Sequence, residues 1–207
     1  MKTLTTRIAN VEALIIGDKT DKVFLFVHGH GGNKEEAQAF AEVVNPLGYQ
    51  VIGIDLPVME MPEKVMALLS DVTQYLKQNY HSVNVRANSI GCWFSMLAFQ
   101  EGGLDKALFV SPLLDMKSFI ECADHKDERY YEWVLSHPIE RWNTETFILR
   151  PRRDAVVAEK VYDSFLSQYP CQVEIVENGE HWFHTAEQLE ILRQWEYKAA
   201  IIQTNSK

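Results

Sequence analysis

The chain has 207 residues, 46% of them hydrophobic and 24% charged, with a formal net charge of −9. Its length and apolar content suit one sizeable domain with an ample core. The acidic balance, broken by no basic run longer than Pro151-Arg152-Arg153, excludes nucleic acid and anionic membranes as expected partners.

Residues 1–10 are rich in threonine and lack the apolar core of a signal peptide. No stretch reaches the roughly 18 to 20 apolar residues of a membrane span. The cysteines Cys92, Cys122 and Cys171 are odd in number and show no metal-ligand spacing. Free thiols in a reducing cytoplasm are therefore expected.

The first apolar run, at 14–16, is closed by Gly17-Asp18 and reads as a strand pairing antiparallel at a sheet edge. Val23-Phe24-Leu25-Phe26-Val27 is wholly apolar and reads as a strand buried on both faces, as in a parallel sheet. Similar runs recur at 51–54, 83–85, 107–110, 146–149 and 173–176. Helical spacing fills the gaps. It covers 34–44 with Asn33 as N-cap, 62–78 with Pro62 at its start, the nearly all-apolar 90–99, then 155–168 and 185–201. Strand and helix alternate, so the predicted fold is α/β: a mostly parallel central sheet flanked by helices, one domain over 1–207. The segment 113–143 is long for a connection and carries Tyr130, Tyr131, Trp133 and Trp142. It reads as a short helical cap over one end of the sheet.

In an open α/β sheet, functional loops gather at the carboxyl ends of the strands. There lie His28-Gly29-His30-Gly31-Gly32, Ser89, Asp154 and His181, on four separate loops. A serine hydroxyl needs a base to take its proton and a third group to orient that base. Ser89 is the candidate nucleophile, His181 the base and Asp154 the orienting acid. The oxyanion needs preorganised N–H donors, and the amides of Ile90 and His30 are the candidates.

At these residues the chain resembles the α/β-hydrolase superfamily. The likeness rests on His28-Gly29-His30-Gly31, Ala87-Asn88-Ser89-Ile90-Gly91, Arg153-Asp154-Ala155-Val156-Val157 and Gly179-Glu180-His181-Trp182-Phe183, in the family order Ser, Asp, His. It extends from about Val23 to the last helix. One departure stands out: Ala87 occupies the position of the elbow's first glycine. The resemblance implies a serine hydrolase, esterase-like, that works through an acyl-enzyme on a small ester or thioester, without metal or cofactor. Lactonase, carbon–carbon bond hydrolase and small peptidase are its alternatives within the superfamily. A catalytically silent binding protein is the alternative outside catalysis.

Each residue also has a plainer reading. Ser89 could be a simple N-cap. Asp115, after the 107–110 strand, is the rival acid, and His184 the rival base. His28 and His30 form a His-x-His pair that could be drawn as a metal site. The expectation here is that His28 braces the oxyanion loop and His30 lines the pocket mouth. His28, Trp133, Trp142 and Trp182 are taken as substrate-binding residues, with packing as the competing role for the tryptophans of the insertion. Oligomeric state is left open.

Overall fold

A computed structural model describes residues 2–8, 11–122 and 127–202. Eight strands form its sheet: β1 (Thr3–Ile8), β2 (Val11–Ile16), β3 (Lys22–Val27), β4 (Gln50–Ile54), β5 (Ser82–Asn88), β6 (Lys106–Val110), β7 (Glu145–Pro151) and β8 (Gln172–Val176). Their order is β1-β2-β4-β3-β5-β6-β7-β8, antiparallel at the β1–β2 and β2–β4 pairings and parallel from β4 to β8.

Seven α-helices among the described residues accompany them: α1 (Ala37–Val44), α2 (Pro62–Asn79), α3 (Ile90–Phe99), α4 (Met116–Glu121), α5 (Glu128–Ser136), α6 (Glu159–Gln168) and α7 (Ala186–Ile201). Successive strand side chains point to opposite faces, and the two faces bury different helices. Phe24 and Phe26 of β3 pack with Phe40 of α1 and Trp195 of α7. Val23, Leu25 and Val27 pack with Val65 and Leu69 of α2, Phe94 of α3 and Val161 of α6. No helix among the described residues is long and apolar enough to cross a membrane.

Three expectations are corrected. The run at 14–16 belongs to β2, which pairs antiparallel as expected, but β1 lies outside it and forms the edge. The helix expected over 155–168 begins only at Glu159. The Asp154 carboxylate accepts from the amides of both Val156 and Val157 at 2.8 Å, which holds the chain in a turn. The helix expected over 34–44 opens as one 3-10 turn, Lys34–Glu36, capped by Asn33. The insertion holds α4 and α5 and packs beside α2 and α3: Arg129 pairs with Glu63, and Trp133 meets Trp93 edge-on at 6.0 Å.

Candidate active site

The turn from β5 into α3 sets the geometry. Ser89 occupies the N-cap position with φ 48° and ψ −123°, and its hydroxyl makes no capping bond. A non-glycine residue at positive φ is strained by about 1–3 kcal/mol and persists only where its surroundings hold it. Three contacts hold this one. Ser89 N donates to Val110 O at 3.1 Å, and Ser89 O accepts from Leu113 N at 3.1 Å and Cys92 N at 3.0 Å. Gly91 lets α3 approach β3, for a Cβ there would lie 2.4 Å from His28 O and 3.0 Å from Val27 O. Ala87 is fully buried in the apolar core, so the alanine is accommodated as packing.

The Ser89 hydroxyl instead meets His181, at 2.9 Å from Nε2. Nδ1 of the same ring lies 2.9 Å and 3.0 Å from the two carboxylate oxygens of Asp154. A carboxylate only accepts, so Nδ1 carries the proton, and Nε2 is left to accept from Ser89. The side chains of His181 and Asp154 are buried together. Burial alone would raise the Asp154 pKa. The His181 hydrogen bond and the amides of Val157 and Val156 outweigh it and hold the carboxyl below its ordinary value. Tyr162 Oη adds a long bond to Asp154 at 3.3 Å, and burial keeps that phenol un-ionised by pushing its pKa up.

The rival residues stand elsewhere. Asp115 spends its carboxylate on Ser118, accepting from its amide at 3.0 Å and its hydroxyl at 2.6 Å. His184 is exposed, with Nδ1 2.9 Å from the Trp182 carbonyl. Burial raises the Cys92 pKa far above neutrality, so that thiol stays protonated.

The first-strand loop closes the other side. His28 is buried, with Nδ1–H directed at its neighbour's carbonyl, Gly29 O, at 2.7 Å and Nε2 accepting from Leu56 N at 2.9 Å. Both nitrogens serve the backbone, which leaves no lone pair for a metal and fixes the loop that carries His30. The amides of His30 and Ile90 donate to no other group among the described residues. His30 is exposed and lines the same cavity as Ser89.

That cavity, about 490 Å³, opens between α1 and α7. Phe26, Phe40, Phe183 and Leu192 give it apolar walls, and Trp182, 63% exposed, stands at its mouth edge-on to His181. Along one wall runs a polar chain that sequence reasoning missed. Arg86 donates to Glu196 at 2.8–2.9 Å and to Asn88, and Asn88 reaches Glu36 at 3.4 Å. Burial raises the Glu196 carboxyl pKa against the pull of Arg86. The signal was present: an arginine three residues before Ser89, directly after the predicted strand at 83–85 and inside β5.

The expected substrate-binding residues separate. Trp182 is at the cavity, and His28 braces the loop without lining it. Trp142 is buried, stacks on Phe109 at 6.0 Å and donates to Thr146 Oγ1 at 2.7 Å. Trp133 lies on Trp93 and stacks on His137 at 4.0 Å. Neither tryptophan lines the Ser89 cavity. The insertion packs on the α3 face of the sheet, and its large aromatics are spent on that apolar surface.

No family model and no curated protein matches the chain. Solved structures do. Est1E from Butyrivibrio proteoclasticus superposes with a TM-score of 0.77 at 14% identity, over 95% of this chain and 96% of that one. An esterase from Pyrococcus furiosus gives 0.69 at 15% identity, over 95% and 88%. An alpha-beta serine hydrolase homologue from Coxiella burnetii gives 0.66 at 14% identity, over 95% and 96%.

Proposed function

We propose, from the α/β-hydrolase fold that this chain has in common with those structures, that it is a serine hydrolase cleaving a small ester or thioester through an acyl-enzyme. The observation that carries the reading is the continuous hydrogen-bonded line from Ser89 Oγ through the His181 ring to Asp154, ending on a serine at φ 48°. Strained backbone of this kind concentrates at functional sites.

In the proposed cycle, Ser89 Oγ attacks the acyl carbon while His181 Nε2 takes its proton. Asp154 keeps the ring in the required tautomer and stabilises the imidazolium. The amides of Ile90 and His30 receive the oxyanion, a role worth about 10²–10³ in turnover per donor. The tetrahedral intermediate collapses, and the imidazolium gives its proton to the departing alcohol or thiol. Water, deprotonated by His181, then attacks the acyl-enzyme, and the imidazolium returns that proton to Ser89 Oγ as the acid is released. The steps draw on protein groups and water. The cavity volume falls within the range of small-molecule sites, which supports a small substrate.

The test is a panel of p-nitrophenyl esters of graded acyl length, with matched thioesters and amides. Turnover of short acyl esters or thioesters is expected, falling to background in Ser89→Ala. Turnover that survives Ser89→Ala would place the chemistry elsewhere. A folded native protein inert to the whole panel would favour a binding module.

A further inference from the structure

The loop that carries His30 is pinned at both ends to two consecutive residues. At its start, His28 Nε2 accepts from Leu56 N at 2.9 Å. At its end, Lys34 donates twice to Asp55, from its amide to Oδ1 at 2.8 Å and from Nζ to Oδ2 at 2.6 Å. Asp55 and Leu56 directly follow β4, the strand beside β3. Lys34 is buried, and its Nζ also meets Glu12 of β2 at 2.9 Å and Glu35 at 3.4 Å.

Between these anchors the backbone bonds are local. Gly32 N donates to Gly29 O at 3.1 Å and closes a turn, with Gly31 at φ 72° where a type II turn calls for positive φ. Asn33 N donates to Glu36 Oε1 at 3.1 Å. His30 is the second residue of the turn. The turn starts against the nucleophile, for a Cβ on Gly29 would sit 3.2 Å from Ser89 Cβ. The direction of the His30 amide is therefore set by how the two ends of the loop are held.

We propose that Asp55 is a positioning residue of the oxyanion site: its carboxylate fixes the exit of the 28–34 loop, so that the His30 amide meets the developing oxyanion. This rests on the reading of Ser89 as nucleophile. Asp55 does not line the Ser89 cavity, so it acts through the loop. An oxyanion donor works only at about 2.7–3.1 Å from the oxygen it serves. A displacement of about 1 Å can cost about 10²-fold in rate.

A purely stabilising role explains Asp55 less well. Its side chain is 42% exposed, and ion pairs of such exposure contribute little to stability. Lys34 keeps Glu12 and Glu35 when Asp55 is removed, so no buried charge is stranded.

The test compares Asp55→Ala and Asp55→Asn with the native protein on a p-nitrophenyl ester and on a trifluoromethyl ketone. The ketone adds to the serine and forms an oxyanion without turnover. Alanine removes both bonds to Lys34, whereas asparagine keeps an oxygen for its amide. The expected kcat falls about 10²-fold in Asp55→Ala and about tenfold in Asp55→Asn, with KM near native. Ketone affinity falls by the same factors as kcat, as transition-state mimicry requires. The pH–rate profile keeps its native midpoint, because His181 and Asp154 are untouched. A folded Asp55→Ala with native kcat and native ketone affinity would overturn the proposal. So would a loss confined to KM, or a loss of kcat that spares the ketone, the marks of a general distortion. If Asp55→Ala does not fold, Asp55→Asn decides in the same way. A native protein that takes a fluorophosphonate while its Asp55 variants behave as native removes this inference alone. A folded native protein that takes neither fluorophosphonate nor ketone removes the hydrolase reading as well.

Discussion

Replacing Asp154 with asparagine isolates the tautomer argument. The Asp154 carboxylate has two tasks here: it accepts from the Val156 and Val157 amides at 2.8 Å, and it accepts the His181 Nδ1 proton at 2.9–3.0 Å. Asparagine keeps a carbonyl oxygen for the amides, so the turn survives. Its NH₂ then faces Nδ1, which must become an acceptor, and the ring proton moves to Nε2. Nε2 now donates to Ser89 Oγ at the position where it should accept, so the base is blocked. The expected loss in kcat is about 10⁴-fold, equivalent to about 5.4 kcal/mol of transition-state stabilisation. The fold is expected to persist with a cost of about 1.5–3 kcal/mol for the lost charge-assisted bond. Ester hydrolysis, fluorophosphonate labelling rate and thermal melting followed by circular dichroism measure these together. Asp154→Asn with turnover within tenfold of native would refute the reasoning. A comparable loss in Asp115→Asn with Asp154→Asn spared would move the acid to Asp115.

Three further outcomes follow from the same geometry. Because the Asp154 pKa is lowered in the folded state, its contribution to stability is fully present above the unfolded carboxyl value of about 3.9 and is lost as pH falls through the native value. The difference in unfolding free energy between native and Asp154→Asn should thus be level near neutrality and shrink below about pH 4, and a difference unchanged down to pH 2 contradicts it. Gly91→Ala brings a Cβ to 2.4 Å from backbone at His28 and should cost about 1–3 kcal/mol together with activity, read by urea unfolding; a variant as stable and active as the native protein contradicts the close approach. Glu196→Ala strands the Arg86 guanidinium in the core and should cost about 3–5 kcal/mol, whereas Arg86→Met combined with Glu196→Leu should cost less than that single change. Additive losses in chemical denaturation would show that the two do not act as a pair.

The strands legible in the sequence were those with apolar runs, buried in β3, β4 and β6 and mostly exposed in β8. β3, β4, β6 and β7 are apolar enough that they show without help from their neighbours, while β5, with Ser82, Asn84, Arg86 and Asn88, shows more weakly. β1 escaped because Thr3–Ile8 is an edge strand with mostly exposed, polar side chains, and what makes it a strand is pairing with β2. The late start of α6 escaped because a carboxylate folding back on the amides of Val156 and Val157 competes with the helix, and spacing does not record that competition. The order of Ser89, Asp154 and His181, each after a strand, was readable, and their side chains meet within hydrogen-bonding distance. The roles of Trp133 and Trp142 depend on which face of the sheet the insertion covers, a tertiary choice that aromatic content leaves open. Asp55 gave no signal at all: an aspartate after a strand is ordinary, and its two bonds to Lys34 exist only in three dimensions.

The most direct test of the account is peptide mapping by mass spectrometry of the native protein after reaction with a fluorophosphonate. One adduct is expected, on Ser89, absent from Ser89→Ala and strongly slowed in His181→Ala. A folded native protein that takes no adduct, or one that carries it on another residue, would contradict the assignment of Ser89 as the nucleophile.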